Sequence, residues 1–297
     1  MAYQTKENDN TGFQGFASGI HPPMQGDAGT AMRRQILKFA LLAAASATVW
    51  GGFAPAHAAD LAVGANIGNV PWEFQDATGK FVGFEIDVVN EAAKRLGKTV
   101  EIVNIPFNGL FSAVQSGRIA MAISSITITD KRLDSVSFAQ PYYDSDQSLT
   151  VRANTPLKSV DDLKGKSLGV DTGSTGDMWV NQNQAKYSFG DVRRYEGLQP
   201  AMLDLGAGRL DGYISDIPAL LYYTKDKPQF KVVQRIPTGE RYSVMLAKDS
   251  PLLPAVNDQI TAMKKDGTLA ALHEKWFGVK PDADGSTVKV LDIPKKS

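Results

Sequence analysis

The chain has 297 residues, 43% of them hydrophobic, and its formal net charge at pH 7 is +0. This size and composition allow a full hydrophobic core, and the balanced charge gives no reason to expect a nucleic acid or an anionic membrane as partner. The chain contains no cysteine and three histidines, which excludes thiol catalysis, disulfides and cysteine-based metal sites. We therefore expect neither a metal nor another cofactor.

The amino-terminal region has the features of an export signal. Met32-Arg33-Arg34 is a basic start, the segment from Ile36 to Val49 is apolar and alanine-rich, and Ala56-His57-Ala58 is a small-x-small cleavage site. The apolar segment has about 14 residues, fewer than the roughly 20 that span a bilayer, and a buried core helix is its alternative interpretation. We predict a signal peptide over 32–58 and a periplasmic mature protein.

The residues before this signal are polar and aperiodic. We expect residues 1–31 to be an over-extended reading frame or a disordered leader, with Met32 as the natural start. Because no cysteine follows the apolar segment, we expect no lipid anchor.

Strand and helix patterns alternate through the rest of the chain, which predicts an α/β fold. The predicted strands are 61–63, 100–105, 119–123, 166–170, 191–195, a segment near 213, and 230–236, and the predicted helices are 84–96, 111–116, 159–165, 200–205, 218–225, 254–265 and 269–277. Extended segments at 148–151 and 242–247 would carry the chain into a second lobe and back. Two such crossings form a hinge, as folds that close on a ligand require.

The crossings divide the mature chain into two lobes with a ligand cleft between them. We expect lobe 1 to contain 59–145 and 239–278, and lobe 2 to contain 146–238. The polar segment 279–297 should be a solvated tail.

A row of hydroxyl groups, an acid and a guanidinium follows the predicted strand at 119–123. The residues are Ser124-Ser125-Ile126-Thr127-Ile128-Thr129-Asp130-Lys131-Arg132. They should lie at a ligand site, because α/β sheets hold ligands beyond the carboxyl ends of their strands. Thr129 is a candidate N-cap, which leaves helix N–H groups free nearby. Arg132 can bind a carboxylate bidentately, and Ser125 and Thr127 can add hydroxyl donors. The pattern indicates a receptor for a small carboxylic acid.

Part of this pattern occurs twice. Gly117-Arg118-Ile119 leads into Ile123-Ser124-Ser125, and Gly208-Arg209-Leu210 leads into Ile214-Ser215-Asp216 with the same spacing. Two lobes of similar construction would explain the repetition, and Ser125 and Asp216 would then end matching strands at a shared cleft. Arg132 from one lobe and Asp216 from the other match the two charges of an amino-acid zwitterion. As alternatives, Arg132 forms a surface ion pair with Asp134, and Asp216 caps the following helix.

The loop Gly173-Ser174-Thr175-Gly176 stands between a predicted strand and a predicted helix. A glycine-containing loop in this position exposes backbone N–H groups to an anion. It lacks the ending of a phosphate-binding P-loop and the GxGxxG of a dinucleotide site, and a simple tight turn is the alternative. Since it ends another strand of the second lobe, we expect it to line the same cleft.

From Leu61 to about Phe277 the chain resembles a known family, the periplasmic amino-acid-binding proteins that deliver polar amino acids to ABC importers (solute-binding protein family 3, type II periplasmic binding fold). The matching segments are Pro71-Trp72-Glu73-Phe74, Gly83-Phe84-Glu85-Ile86-Asp87, Ser125-Ile126-Thr127-Ile128-Thr129-Asp130-Lys131-Arg132, Phe138-Ala139-Gln140-Pro141-Tyr142-Tyr143, Gly173-Ser174-Thr175 and Lys275-Trp276-Phe277-Gly278. They cover nearly all of the mature chain in the family's order.

The resemblance implies a two-lobed monomer that closes on one amino acid and docks on a membrane permease with its ATPase. It implies that Arg132, Ser125 and Thr127 hold the α-carboxylate with help from the backbone N–H of Thr175. Asp216 would bind the α-ammonium, and Phe107 would pack on the ligand side chain.

Specificity for the ligand side chain is open at this point. Asn66 stands where relatives that bind cationic amino acids often have an acid, and Asn69 stands where an aromatic residue is frequent. Asp171 could restore a negative charge or point to solvent, and Trp72 could wall the pocket or belong to the core. We expect an uncharged polar amino acid, with a basic one second; a dicarboxylate would need a further cation.

Two other function classes are considered. The fold resembles secreted dehydratases of cyclic carboxylates, in which a cleft acid is the general acid, and Asp171 is the candidate for that role. A sensor input module is the third class, and no transmembrane helix or signalling domain follows Gly278. We expect a transport receptor rather than an enzyme.

Overall fold

The computed structural model describes residues 59–296. The predicted leader (1–31) and signal peptide (32–58) lie outside the described residues. Within residues 59–296, strands and helices alternate as the sequence predicts. No helix in this range is both long enough and apolar enough to cross a bilayer.

The described strands and helices have the following bounds. The strands are β1 Leu61–Ala65, β2 Phe74–Gln75, β3 Phe81–Val82, β4 Val100–Asn104, β5 Met121–Ala122, β6 Val136–Phe138, β7 Tyr143–Arg152, β8 Leu168–Asp171, β9 Val192–Tyr195, β10 Gly212–Asp216, β11 Phe230–Tyr242 and β12 Met245–Ala247. The helices are α1 Phe84–Arg95, α2 Phe107–Gln115, α3 Asp130–Leu133, α4 Thr175–Tyr187, α5 Leu198–Gly206, α6 Ile217–Thr224, α7 Leu253–Lys265 and α8 Thr268–Phe277. A capped 3₁₀ turn at Val160–Leu163 replaces the helix predicted at 159–165.

Ten of these strands form two five-stranded sheets. The first has the order β4-β1-β5-β12-β6, and β12 runs antiparallel to both of its neighbours. The second has the order β11-β7-β10-β8-β9, and β7 runs antiparallel to both of its neighbours. The remaining adjacent strands in each sheet are parallel. The predicted two-lobed α/β fold is confirmed.

Two crossings connect the sheets. The chain passes from the first sheet to the second between Phe138 and Tyr143, and it returns between Tyr242 and Met245. Sheet membership does not assign the loops and helices to a lobe, so the residue boundaries of the lobes stay a prediction.

The repeated sequence pattern corresponds to equivalent places in the two sheets. β5 is the third strand of the first sheet and β10 is the third strand of the second. Gly117 before β5 and Gly208 before β10 have φ angles of 71° and 76°, the left-handed conformation that favours glycine after a helix. Ser125 and Asp216 therefore belong to corresponding strand ends.

Helix α2 begins at Phe107, earlier than the helix predicted at 111–116. Pro106 occupies its N-cap position, where the missing N–H of proline costs no helical hydrogen bond. Gly109 lies in the first turn and weakens the helical pattern, which explains the late predicted start. The earlier start puts Phe107 at the amino-terminal end of the helix.

The carboxyl-terminal segment is not the solvated tail that the sequence predicts. Ser286 and Thr287 are buried, with 3% and 4% of their surfaces exposed. The Thr287 hydroxyl donates to the backbone oxygen of Tyr142, and the Ser286 hydroxyl donates to Asp144 at 2.5 Å. Hydrogen bonds to Tyr142 in the first crossing and to Asp144 on β7 hold this polar segment, so hydropathy contains no signal for its burial.

Candidate functional site

A cavity of about 180 Å³ lies where strands of both sheets end. This volume is below the roughly 300–1,000 Å³ of pockets for drug-sized ligands, so the cavity suits a small metabolite. All nine residues predicted to bind the ligand line it: Asn66, Asn69, Phe107, Ser125, Thr127, Arg132, Asp171, Thr175 and Asp216. The structure thus brings together residues from widely separated parts of the sequence, while their roles in binding stay predictions.

Arg132 supplies the positive charge of the cavity. Thr129 caps its helix α3 as predicted, with the Thr129 hydroxyl oxygen accepting from the backbone N–H of Arg132 at 3.2 Å. The guanidinium donates to the backbone oxygens of Thr127 (2.7 Å) and Gly173 (3.2 Å) and lies over the rings of Phe107 and Phe111. Because a guanidinium has five N–H donors, these two bonds leave others for a ligand.

Burial lowers the pKa of Arg132 to about 10, and the charges of Glu240 and Asp216 oppose this shift. Arg132 therefore remains positively charged at neutral pH. The bond to Gly173, which follows β8 of the second sheet, also makes Arg132 a direct link between the two sheets.

The alternative roles of Arg132 and Asp216 do not apply in this structure. Asp134 forms its ion pair with Lys296 at 2.6 Å, whereas Arg132 is 95% buried. Asp216 occupies the N-cap position of α6, but its side chain makes no capping hydrogen bond. Both residues instead line the cavity, and the ionised form of Asp216 favours the charged form of Arg132.

The hydroxyl row turns sharply at the end of β5. Ser125 has a φ of 47°, a left-handed conformation that is uncommon for a residue with a side chain. The Ser124 hydroxyl donates to Glu73 at 2.7 Å and accepts from the backbone N–H of Asn66 at 3.1 Å. Asn69 donates through Nδ2 to Ser125 Oγ at 3.4 Å.

Glu240 on β11 is a functional candidate that the sequence prediction missed. Its Oε2 accepts from the hydroxyls of Thr127 (2.8 Å) and Thr175 (3.0 Å), and its Oε1 accepts from Gln147 Nε2 (2.9 Å). A hydroxyl has one proton to donate, so both threonine hydroxyls are directed at Glu240 in this arrangement. Glu240 thereby joins Thr127, which lies between β5 and β6 of the first sheet, to Thr175 at the start of α4.

Asp216 lies beside Glu240, and Gln147 Nε2 bridges them by donating to Asp216 Oδ1 at 2.5 Å as well. Burial raises the pKa of Asp216 to about 8, and the charge of Glu240 adds to the shift. The ligand-free carboxyl group is therefore largely protonated at neutral pH. A bound ammonium group would favour its ionised form.

Asp171 supplies a second carboxyl group from the end of β8. It accepts from the hydroxyls of Tyr213 (2.6 Å) and Ser215 (3.3 Å). Burial raises its pKa to about 6, and the charge of Glu196, another lining residue, contributes. Asp171 thus lines the cavity instead of pointing to solvent.

The remaining predicted residues have the following surroundings. Asn66 and Asn69 contact the turn formed by Ser124 and Ser125, called the serine turn below, and Phe107 contacts the guanidinium of Arg132. Trp72 is 1% exposed and packs against Phe84 and Tyr143, so it belongs to the core.

The described residues contain no group of three or more His, Asp or Glu side chains arranged to hold a metal ion. The carboxyl groups that line the cavity belong to Glu73, Asp171, Glu196 and Asp216, and Arg132 is the cationic side chain that lines it. The arrangement can bind a carboxylate at one place and one or more ammonium groups at others.

The chain is similar to proteins of a known family. Residues 61–279 match the family of bacterial extracellular solute-binding proteins, family 3. The chain is similar to the L-cystine-binding protein TcyJ of Escherichia coli strain K12, with 38% identity over 216 residues that cover 70% of this chain and 79% of the relative. It is also similar to the lysine/arginine/ornithine-binding periplasmic protein of the same strain, with 31% identity over 256 residues that cover 83% of this chain and 97% of the relative.

One similar solved structure is the ancestral amino acid-binding protein AncCDT-1, described as a precursor of cyclohexadienyl dehydratase. Its TM-score is 0.68 at 33% identity, and the match covers 73% of this chain and 95% of that protein.

Proposed function

This chain belongs to the bacterial extracellular solute-binding proteins of family 3, and from that premise we propose that it is a periplasmic receptor for one polar amino acid. The amino acid binds between the two lobes, the lobes close on it, and the closed monomer delivers it to the permease and ATPase of an ABC importer. The protein acts as a receptor and not as an enzyme.

The observation that supports this proposal most strongly is that a guanidinium and a carboxyl group, brought by different sheets, line one cavity. Arg132 lies on α3, between β5 and β6 of the first sheet, and Asp216 ends β10 of the second. An amino-acid zwitterion presents a carboxylate and an ammonium group close together, and burying either without a partner is costly. Since each lobe supplies one partner, a ligand that uses both favours the closed form.

For the ligand we propose L-cystine first and a basic amino acid second. L-Cystine is uncharged overall, in line with the uncharged Asn66 and Asn69, and its second ammonium group suits Asp171 and Glu196. Since Arg132 is the cationic side chain of the lining, the second carboxylate has to be met by neutral donors such as the amides of Asn66 and Asn69. A relative named for cystine and one named for lysine, arginine and ornithine support the same two classes.

Calorimetric titration of Arg132→Ala and Asp216→Ala tests the receptor. We expect both variants to stay folded and to lose amino-acid binding, because each removes a charged hydrogen-bonding partner worth about 1.5–3 kcal/mol per bond. Arg193→Ala and Asp191→Ala are matched controls, since these residues form an exposed ion pair on and beside β9. Retained affinity in either cavity variant would contradict the proposal.

Two further measurements address the ligand and the closure. Thermal-shift screening against the twenty amino acids, L-cystine and related opines should reveal one stabilising class, because a ligand that binds only the folded state raises its stability. Small-angle scattering should show a smaller radius of gyration with that ligand. An unchanged radius at saturating ligand would contradict lobe closure.

A dehydratase is the second candidate function, and the acid in the cavity is the observation that favours it. A buried carboxyl group with a pKa of about 6, such as Asp171, can act as a general acid near neutral pH. The similarity to AncCDT-1 gives the substrate class. A turnover assay with prephenate and arogenate separates the two functions: formation of an aromatic product would favour the enzyme over the receptor.

A further inference from the structure

Two glutamates lie beneath the serine turn of the cavity. Glu73 precedes β2, Glu85 lies in the first turn of α1, and both are 0% exposed. Among the described residues, neither takes part in an ion pair. Two buried carboxylates side by side without a cation would be strongly destabilising, so their protonation needs an explanation.

In each glutamate, one carboxyl oxygen accepts hydrogen bonds and the other has no donor. Glu85 Oε1 accepts from the backbone N–H of Ser125 at 2.8 Å and from the hydroxyl of Tyr142. Glu73 Oε1 accepts from the Ser124 hydroxyl at 2.7 Å and from Asn69 Nδ2 at 3.5 Å. The Oε2 atoms of both glutamates are buried, and no N–H or O–H donor in residues 59–296 reaches them.

Both carboxyl groups are buried without a cation, they hold the adjacent residues Ser124 and Ser125, and each has one oxygen without a donor, which points to a proton on one of the two carboxyl groups. Burial and the nearby charge of Glu85 raise the pKa of Glu73 well above its usual value. Burial also raises the pKa of Glu85, but hydrogen bonds from Glu73, Tyr142 and Ser125 oppose that shift. The proton therefore belongs on Glu73 and the negative charge on Glu85.

We propose that Glu73 and Glu85 share one proton between their carboxyl groups and that this pair holds the Ser124–Ser125 turn in the geometry that amino-acid binding needs. Both glutamates are then positioning residues. This inference rests on the proposed function, because it assigns the turn to the ligand site.

The contacts of the turn explain how the pair positions it. Ser125 has the uncommon φ of 47°, and Glu85 stabilises this conformation by accepting a hydrogen bond from the backbone N–H of Ser125. Glu73 orients the Ser124 hydroxyl, which in turn accepts from the backbone N–H of Asn66. Asn69 links the glutamate pair to the turn because its Nδ2 contacts both Glu73 and Ser125.

The pair should also be sensitive to pH. The titratable group that contacts it from another element is Tyr142, in the first crossing, and burial raises the pKa of Tyr142 well above its usual value, so it stays a neutral donor. The other contacting groups, Asn69, Ser124 and Ser125, do not titrate. Loss of the shared proton as pH rises would put two like charges under the turn and weaken ligand binding.

Glu73→Gln in the full chain is the decisive variant, because its amide can donate to Glu85 as the protonated carboxyl group does. Glu101→Gln on the exposed side of β4 is the matched control. The probes are L-cystine, L-arginine and L-glutamine, measured by calorimetry, together with urea unfolding at several pH values. A second variant, Glu73→Ala, removes the carboxyl group that accepts the hydrogen bond of the Ser124 hydroxyl.

The expected sign follows from the raised pKa of Glu73. Between its unfolded and folded pKa values the native state holds one proton more than the unfolded state, so stability falls as pH rises. The unfolding constant of the wild type should rise about tenfold per pH unit relative to that of Glu73→Gln in this window. Below the raised pKa of Glu73, Glu73→Gln should lose less affinity than Glu73→Ala does, and it should lack the loss of affinity that the wild type shows as pH rises. Glu73→Ala should lose affinity about tenfold or more.

Several results would overturn the proposal. Equal pH slopes of unfolding in the wild type and Glu73→Gln would mean that Glu73 holds no proton. A loss of affinity in Glu73→Gln as large as in Glu73→Ala would mean that charge, and not a shared proton, is needed. Unchanged affinity in Glu73→Ala would reduce the pair to a purely structural role.

The design separates this proposal from the proposed function. If the wild type binds none of the three probes, the receptor function and the positioning role both fail, while the unfolding slopes still decide whether the proton is shared. If Glu73→Ala does not fold, the pH profiles of affinity of the wild type and Glu73→Gln decide the positioning role.

Discussion

The protonation of Asp216 predicts that amino-acid binding releases a proton. Burial and the charge of Glu240 raise the pKa of this carboxyl group to about 8 in the ligand-free protein. A bound ammonium group requires the ionised form, because the neutral acid offers no charge to pair with it. Binding below pH 8 must therefore remove the proton from Asp216, and the affinity must rise with pH.

The magnitude follows from this raised pKa. A carboxyl group with a pKa of about 8 is about 1% ionised at pH 6 and half ionised at pH 8. If only the ionised form binds, the association constant should rise about 50-fold between these two pH values. Below pH 7 about one proton should be released per ligand bound.

Isothermal titration calorimetry of L-cystine at pH 6, 7 and 8, in buffers of different ionisation enthalpy, measures both the affinity and the number of protons released. Asp216→Asn is the control for other titrating groups such as Asp171, because it removes only the titration of Asp216. We expect the variant to bind weakly and without the steep rise. A wild-type affinity that is constant from pH 6 to pH 8 with no proton release would refute the reasoning.

Three further predictions concern neighbouring parts of the structure. Glu240→Gln removes a charge that raises the pKa of Asp216, so the rise of affinity with pH, measured by calorimetry, should move to lower pH. An unshifted pH profile would contradict the effect of Glu240 on Asp216. Deletion of residues 286–297 removes the buried hydrogen bonds from Thr287 to Tyr142 and from Ser286 to Asp144. The free energy of unfolding, measured with urea, should fall by about 2–3 kcal/mol, and an unchanged value would contradict this prediction. Asp171→Asn and Asn66→Ala should change preference among L-cystine, L-arginine and L-glutamine in competition assays, and an equal loss for all three would disprove a role in specificity.

The sequence locates the residues that line the cavity well because its signals are local. Ser125, Thr127 and Arg132 directly follow an apolar strand, and the repeated Gly-Arg pattern locates Asp216 at the corresponding strand end. Such short-range patterns depend on strand and cap chemistry within a few residues.

The missed residues act through contacts that are distant in sequence. Glu240 is 113 residues from Thr127, and Glu73 is 51 residues from Ser124. No local pattern around these glutamates distinguishes them from solvated acids, and burial becomes visible only when the sheets are assembled. The tail was missed for a similar reason, since Ser286 and Thr287 are held by hydrogen bonds and not by apolar packing.

The most direct test of the central claim is a crystal structure of the mature protein with the amino acid that stabilises it most. We expect the α-carboxylate within hydrogen-bond distance of the Arg132 guanidinium and the α-ammonium group within hydrogen-bond distance of the Asp216 carboxylate. A ligand with both charged groups held by one lobe, or one that touches neither Arg132 nor Asp216, would contradict the account.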